Sequence, residues 1–227
     1  MESQDKAKKA AGRKAVEFVK DGMLIGLGTG STSVKFIQSL GEKCREGLKI
    51  EAIATSHSSE ILALALNIPI IAPGTVSFLD MCFDGADEIN KKKQMIKGGG
   101  GALLREKIIA SMSGEMVVLI DEHKIVNELG NFPLPVEIIP FGYKSTISKM
   151  EEGGFHGTIR LNKAGENFIT DNGNYIYDIR LTPGKEKPEA IEQFLISIPG
   201  IVETGFFLGL AGRVIVGKNN GEVTVID

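Results

Sequence analysis

Two hydrophobic periods alternate along the first half of this chain. Residues 5–19 read as a helix closed by Asp21 and Gly22, and 23–26 as a short buried strand. Val34, Ile37 and Leu40 recur at helical spacing behind Ser31 or Thr32, either of which can cap the helix. Residues 50–54 read as a strand and 58–66 as a helix; 68–72, 78–83 and 116–120 read as further strands. A helix over 102–112 separates the last two. Strands and helices alternating in this order predict a doubly wound, mainly parallel α/β sheet.

The pattern changes at "GNFPLPVEIIP", whose three prolines mark a domain crossing. Strand 136–140, helix 144–152, strands 156–162 and 174–181, helix 188–198 and strand 201–207 follow. That β-α-β-β-α-β order is the ferredoxin-like motif. Gly165 and the run Asp171, Asn172, Gly173 supply turns around its central strands. The last two apolar runs, "RVIVG" and "VTVID", return to the first sheet. The expected organisation is a Rossmann-like domain over 1–130 and 207–227, with a smaller ferredoxin-like α+β domain over 131–206.

Composition narrows the classes of function. An apolar fraction of 42% and a charged fraction of 24% suit an ordinary globular protein with a sizeable core. A formal charge of −3 leaves no excess of lysine and arginine to neutralise phosphates, which argues against a nucleic-acid partner. The run Lys91, Lys92, Lys93 reads as a solvated turn. The first residues are charged throughout, without an apolar signal core. The most apolar region, 61–76, is broken by Asn67, Pro69, Pro73 and Gly74, well short of the roughly 18 apolar residues of a membrane span. Cys44 and Cys82 are far apart and form no metal-ligand pair, as expected of reduced thiols in a soluble, cytoplasmic protein.

Three segments can carry chemistry. "GLGTGST", 26–32, leaves a strand and enters a helix, so its glycines allow close approach while N–H groups and hydroxyls face an anion. A dinucleotide fingerprint would need glycine at Ser31, and an acid where the next strand ends in Ala54, Thr55 and Ser56. A monophosphate cradle fits better, against the plainer reading of a structural turn. "DGADE", 84–88, ends a strand where α/β sheets form their ligand crevice, and Gly85 allows a turn that brings Asp84 and Asp87 to one site. Two close carboxylates can divide acid and base roles; a turn with solvated acids is the competing reading. "KGGGGALLREK", 97–107, adds a cation, four glycines costly in chain entropy, and Glu106 in the following helix. Glu106 is either a base facing a site or a surface acid near a helix N-terminus. Lys124 in "DEHK" is a weaker candidate, and His57, His123 and His156 join no catalytic constellation.

In this order, "GLGTGST", "DGADE", "KGGGGALLREK", "DEHK", "FPLPVEIIP" and "GLAGRVIVG" closely resemble the type A ribose-5-phosphate isomerase family, over nearly the whole chain. His123 stands where the family pattern commonly has a small residue. The resemblance implies metal-free interconversion of D-ribose 5-phosphate and D-ribulose 5-phosphate in the non-oxidative pentose phosphate pathway, with no cofactor. Its partners are then a sugar phosphate and further copies of itself, as a homodimer or homotetramer. Thr29, Gly30, Ser31 and Thr32, with Lys97, Gly98, Gly99 and Gly100, bind substrate by this likeness. Asp84, Gly85, Ala86 and Asp87 line the sugar site, Glu106 accepts the proton, and Lys124 and Lys8 are further substrate contacts.

The chemistry fits those residue types independently. Aldose–ketose isomerisation takes a proton from beside a carbonyl and returns it to the neighbouring carbon through an enediolate. It needs a base, for which Glu106 serves, and donors for the oxyanion, which Lys97 and glycine amides supply. An aspartate can shuttle protons as the sugar ring opens. Two other classes compete: a sugar-phosphate-sensing regulator, for which no basic DNA-binding segment is present, and a coenzyme A transferase, which would form a glutamyl thioester.

Overall fold

The computed structural model describes residues 2–227, with side chains from Ser3 onward. In chain order the elements begin with α1 (Glu2–Val16), β1 (Leu24–Leu27), α2 (Ser31–Arg45), β2 (Glu51–Ala54) and α3 (His57–Ala65). β3 (Leu79–Gly85), β4 (Glu88–Ile89), β5 (Met95–Ile96), α4 (Leu103–Ser111) and β6 (Ser113–Asp121) follow. Next come β7 (Leu134–Ile138), α5 (Tyr143–Glu152), β8 (Gly157–Ile159), β9 (Tyr175–Ile179) and α6 (Pro188–Ile196). β10 (Ile201–Thr204), β11 (Phe206–Phe207), β12 (Ala211–Gly217) and β13 (Val223–Ile226) complete the chain. They form two compact units.

The first unit holds the residues up to Ala86, Arg105–Lys124 and Leu210–Asp227. Its sheet runs β13-β12-β6-β3-β1-β2, parallel throughout except for the last hairpin, β12-β13. The strands carry near-continuous apolar runs because both faces are covered. Ile25, Leu27 and Phe83 share a core with Phe36 and Ile37 of α2, and Phe36 stacks on Phe83 with ring centroids 4.4 Å apart. Gly26, between Ile25 and Leu27, points the other way: a Cβ there would run into Ile109 of α4. The chain leaves β1 through α2 to β2 on one side, then returns to β3 on the other. The topological switch point, where such sheets open a crevice at their C-terminal ends, therefore lies between β1 and β3.

Residues 68–72, expected as a strand, join the sheet only through a bridge from Ile70 to Ala52. Pro69 and Pro73 have no N–H to donate, so bonds to Ala52 on either side exhaust what this edge can pair.

The second unit holds Asp87–Leu104 and Ile125–Gly209. Its four-stranded sheet, β10-β7-β9-β8, is antiparallel throughout and realises the expected ferredoxin-like order. Leu134, Val136, Ile138 and Ile179 share a core with Met150 of α5 and with Ile191 and Leu195 of α6. The single strand read over 201–207 is two, broken at Gly205. There the chain leaves β7 and enters a small sheet, β11-β5-β4, through bonds from Gly205 N to Pro135 O and from Lys97 N to Gly205 O. A Cβ on Gly205 would collide with Lys97 O.

The boundaries fall differently from the sequence-based division, since 87–104 belong to the second unit. Ile96 is buried in that unit's core, and the Glu88 carboxylate accepts hydrogen bonds from Gly130 N and Phe132 N at 2.8 and 2.7 Å. Two-residue strands such as β4 and β5 display no period from which a sequence can assign them.

Candidate active site

At the switch point the turn after β1 meets the end of β3. Gly28 N donates to Phe83 O at 2.9 Å, so the turn starts hard against β3. A Cβ on Gly28 would run into the Asp84 carboxylate and lie 2.6 Å from Asp84 Cα, which explains the glycine by space rather than by torsion. Asp84 is buried, and its Oδ1 accepts from Thr29 N at 3.0 Å, Ser33 Oγ at 3.2 Å and Gly85 N at 2.7 Å. Asp84 thus fixes the turn that carries Thr29 and Gly30.

Gly30, at φ 108°, is the N-cap of α2 and provides no side-chain cap. The first turn of α2 also carries no acidic residue. The N-terminal N–H groups, with the Ser31 and Thr32 hydroxyls beside them, suit an anion. Ser31 is exposed and Thr32 buried. A hydroxyl cluster that sequence reasoning missed lies beside this turn. Thr29 Oγ1 lies 2.7 Å from Thr55 Oγ1 and 2.8 Å from Ser56 Oγ, and Ser59 Oγ donates to Gly28 O at 2.7 Å. The run "TSHSS" after β2 was its signal. It replaces the ribose-binding acid of a dinucleotide site with neutral hydroxyls.

Lys124 follows β6 at the same, C-terminal edge of the sheet. His123 N donates to Asp121 Oδ1 at 3.1 Å, and the His123 ring lies 3.0 Å from Asn219 Nδ2. The bulky histidine therefore ties the "DEHK" turn to the β12-β13 hairpin. Lys8 is half-buried on α1. Its neighbour Ala7 lies with its backbone against Gly217, which ends β12, so Lys8 comes to this same edge. Glu106 sits in the first turn of α4 and is only 4% exposed. That burial removes the surface-acid reading.

In the second unit, Lys97 is 2% exposed, with Nζ 5.2 Å from the centroid of Phe207. Gly98, at φ 101°, and Gly101, at φ 83°, bracket a tight turn closed by Gly101 N donating to Gly98 O at 2.9 Å. Gly98 is buried, whereas the backbone of Gly99 and Gly100 is exposed. Asp87, half-buried, accepts from Gly99 N at 2.8 Å. Ala86 is half-buried, and Glu88, the last acid of "DGADE", is a clamp within the fold rather than part of this cluster.

Two groups of side chains result. The first unit offers a helix N-terminus suited to an anion and also holds Asp84, Glu106, Lys124 and Lys8; the second offers a carboxylate, a buried ammonium and a glycine turn. Carboxylates, a base and cationic or amide donors are the kinds of group that a proton transfer beside a carbonyl uses.

Comparison with known proteins agrees with that chemistry. Residues 51–221 match the family described as ribose 5-phosphate isomerase A (phosphoriboisomerase A). Ribose-5-phosphate isomerase A of Protochlamydia amoebophila is 52% identical over 221 residues, covering 97% of this chain and 95% of its own. The solved ribose 5-phosphate isomerase A of Methanocaldococcus jannaschii superposes with a TM-score of 0.91 at 40% identity, over 97% of this chain and 98% of that one. A solved D-ribose-5-phosphate isomerase in complex with phospho-erythronic acid gives a TM-score of 0.91 at 38% identity, over 97% of each chain. With half its residues shared across nearly its full length, and the same fold, this chain belongs to the ribose 5-phosphate isomerase A family.

Proposed function

We propose a division of labour for the interconversion of D-ribose 5-phosphate and D-ribulose 5-phosphate, the reaction of this isomerase. The phosphate lies on the N-terminus of α2, against Thr29, Gly30, Ser31 and Thr32, with Lys8 and Lys124 adding positive charge. Bound away from the reacting carbons, it supplies orientation rather than chemistry. Asp84 handles the proton as the sugar ring opens, with Gly85 and Ala86 beside it. Asp87 handles protons near the reacting oxygens. Lys97 and the amides of Gly98 and Gly100 stabilise the enediolate oxyanion, while the Gly99 amide holds Asp87 beside the sugar. Glu106 takes the proton from C2 of the open aldose and returns it to C1, giving the ketose. No step in this scheme calls on a metal or a cofactor.

The observation that carries the scheme is the burial of Glu106 directly after the glycine turn. A carboxylate withdrawn from water at that position has a use for its charge. Glu106→Gln keeps the shape and cannot accept the proton, so turnover should fall by about 10²–10⁴ with substrate affinity little changed. Exchange of the carbon-bound hydrogen with solvent deuterium should collapse in parallel. Near wild-type exchange in that variant would remove Glu106 from the mechanism.

The assembly proposed with this reading is a cytoplasmic homodimer or homotetramer. No described helix is long and apolar enough to cross a membrane. Cys82 is buried, and burial pushes the Cys44 thiol up, as suits thiols that stay reduced.

A further inference from the structure

We propose that Arg160 and Asp178 form a positioning pair that aims the amides of the glycine turn. Arg160 follows β8, and its backbone is pinned on both sides: Arg160 N donates to Ile176 O, and Phe168 N donates to Arg160 O, each at 2.8 Å. Its guanidinium divides its donors. Nε and Nη2 grip the two oxygens of Asp178 at 2.8 and 2.5 Å, the fork geometry of a bidentate pair. Nη1 points onward and donates to two successive carbonyls, Gly98 O at 2.9 Å and Gly99 O at 3.1 Å. An ion pair made for stability alone has no need of that second grip.

The consequence follows from peptide planarity. In a trans peptide the N–H points opposite to the C=O of the same plane. With Gly98 O turned to Arg160, Gly99 N–H must point away, and it does so, reaching Asp87. With Gly99 O also turned to Arg160, Gly100 N–H is aimed to the same, Asp87 side. Four glycines have no side chains to hold these planes; the turn bond from Gly101 N fixes Gly98 O on one side, and the guanidinium holds both carbonyls from behind. Phe168 backs the turn further along, where a Cβ on Gly101 would lie 2.5 Å from its ring. The strand of loop beyond Phe168 is itself anchored, since Thr170, Asn172 and Asn174 donate to Oε1 of the buried Glu137. A lysine cannot substitute for the fork, because its single ammonium carries no planar array of donors.

The inference rests on the reading of this turn as the oxyanion's donor side, so the test separates the two. Arg160→Ala should lower kcat by about 10²-fold, the scale of a lost oxyanion-hole donor, and leave KM nearly unchanged. Added millimolar guanidinium should recover part of that loss by filling the vacated place. Arg160→Lys, which keeps charge and bulk, should stay low in kcat and serves if the alanine variant does not fold. Wild-type kcat in the lysine variant, a loss carried by KM, or a folded alanine variant that guanidinium does not improve would each overturn the proposal. Lys97→Met tests the underlying reading: an undiminished kcat there sinks the oxyanion role of the turn. A collapsed kcat there beside an unaffected Arg160→Lys sinks only the positioning role.

Discussion

Gly28→Ala is the smallest change that should separate the turn after β1 from β3. Gly28 is not among the residues with positive φ, so alanine can adopt its backbone conformation. The cost arises wholly from what the new methyl meets: the Asp84 carboxylate and, at 2.6 Å, Asp84 Cα. The carboxylate can swing aside, but the Cα belongs to β3, which is paired on both edges, with β1 and β6. Overpacking of this kind typically costs about 1–3 kcal/mol. Swinging the carboxylate away also releases Thr29 N, Ser33 Oγ and Gly85 N, and each bond to a charged group not replaced by water costs about 1.5–3 kcal/mol. With water replacing all but about one of those bonds, a total of roughly 2.5–6 kcal/mol is expected, which for a chain of this length lowers the melting temperature by roughly 5–24 °C.

Thermal unfolding and steady-state kinetics with ribose 5-phosphate measure the two consequences together. Because the turn carries Thr29 and Gly30, KM should rise as well as the melting temperature fall. Gly74→Ala is the matched control: nothing lies within 4 Å of its Cβ position, and its effect should stay within about 0.5 kcal/mol. Asp84→Gly in the Gly28→Ala background should not recover the loss, since the contact with Cα remains and Thr29 N, Ser33 Oγ and Gly85 N stay without their acceptor. A Gly28→Ala enzyme with unaltered melting temperature and KM would mean that the turn does not approach β3 as described.

Asp84→Asn and Asp87→Asn should divide by substrate form. Asp84→Asn should lose more on cyclic ribose 5-phosphate than on an open-chain analogue, and should weaken binding too, because Asp84 fixes the turn proposed to hold the phosphate. Asp87→Asn should lose similarly on both; identical profiles for the two variants would refute the division. Tyr177 gives a pH dependence of stability: burial, then the 2.9 Å bond it donates to Glu151, pushes its hydroxyl from 10.0 up to about 12. The folded state therefore favours the neutral phenol, a contribution whole below the ordinary value and lost as pH rises through about 12. Melting curves from neutral pH into that range should show a fall that Tyr177→Phe flattens, and an equal fall in both proteins would exclude Tyr177 as its source.

Much of the fold was legible because period and punctuation agreed. The β1-turn-α2 passage announces itself through a buried strand, three glycines and a helix with regular apolar spacing. The ferredoxin-like order is recoverable because Asp171 to Gly173 mark a turn beside two strands of ordinary length. Elements fixed by other means were lost. The prolines at 69 and 73 suppress a ladder that apolar content alone suggests. Gly205 divides a strand for reasons located at Lys97 and Pro135, more than a hundred and about seventy residues earlier. Thr55, Ser56 and Ser59 were read for the acid they lack, not for the hydroxyls they gather around Thr29.

The same distinction separates the groups of the site. Asp84, Asp87, Lys97 and Glu106 stand within one stretch of sequence, beside glycines whose presence has no other local explanation, so residue type and spacing suffice to nominate them. Arg160 stands between a short strand and a polar loop with no periodic neighbour, and its partners are 18 and 62 residues away. Nothing local distinguishes it from a solvated arginine. Its use depends on β8 and β9 lying side by side, with Gly157 leaving room for the close approach to Asp178 O, so that guanidinium and carboxylate meet behind the glycines. Groups proposed to meet the substrate can thus be nominated from the order of residues along a loop. Groups that hold the loop in place appear only once the sheet behind it has formed.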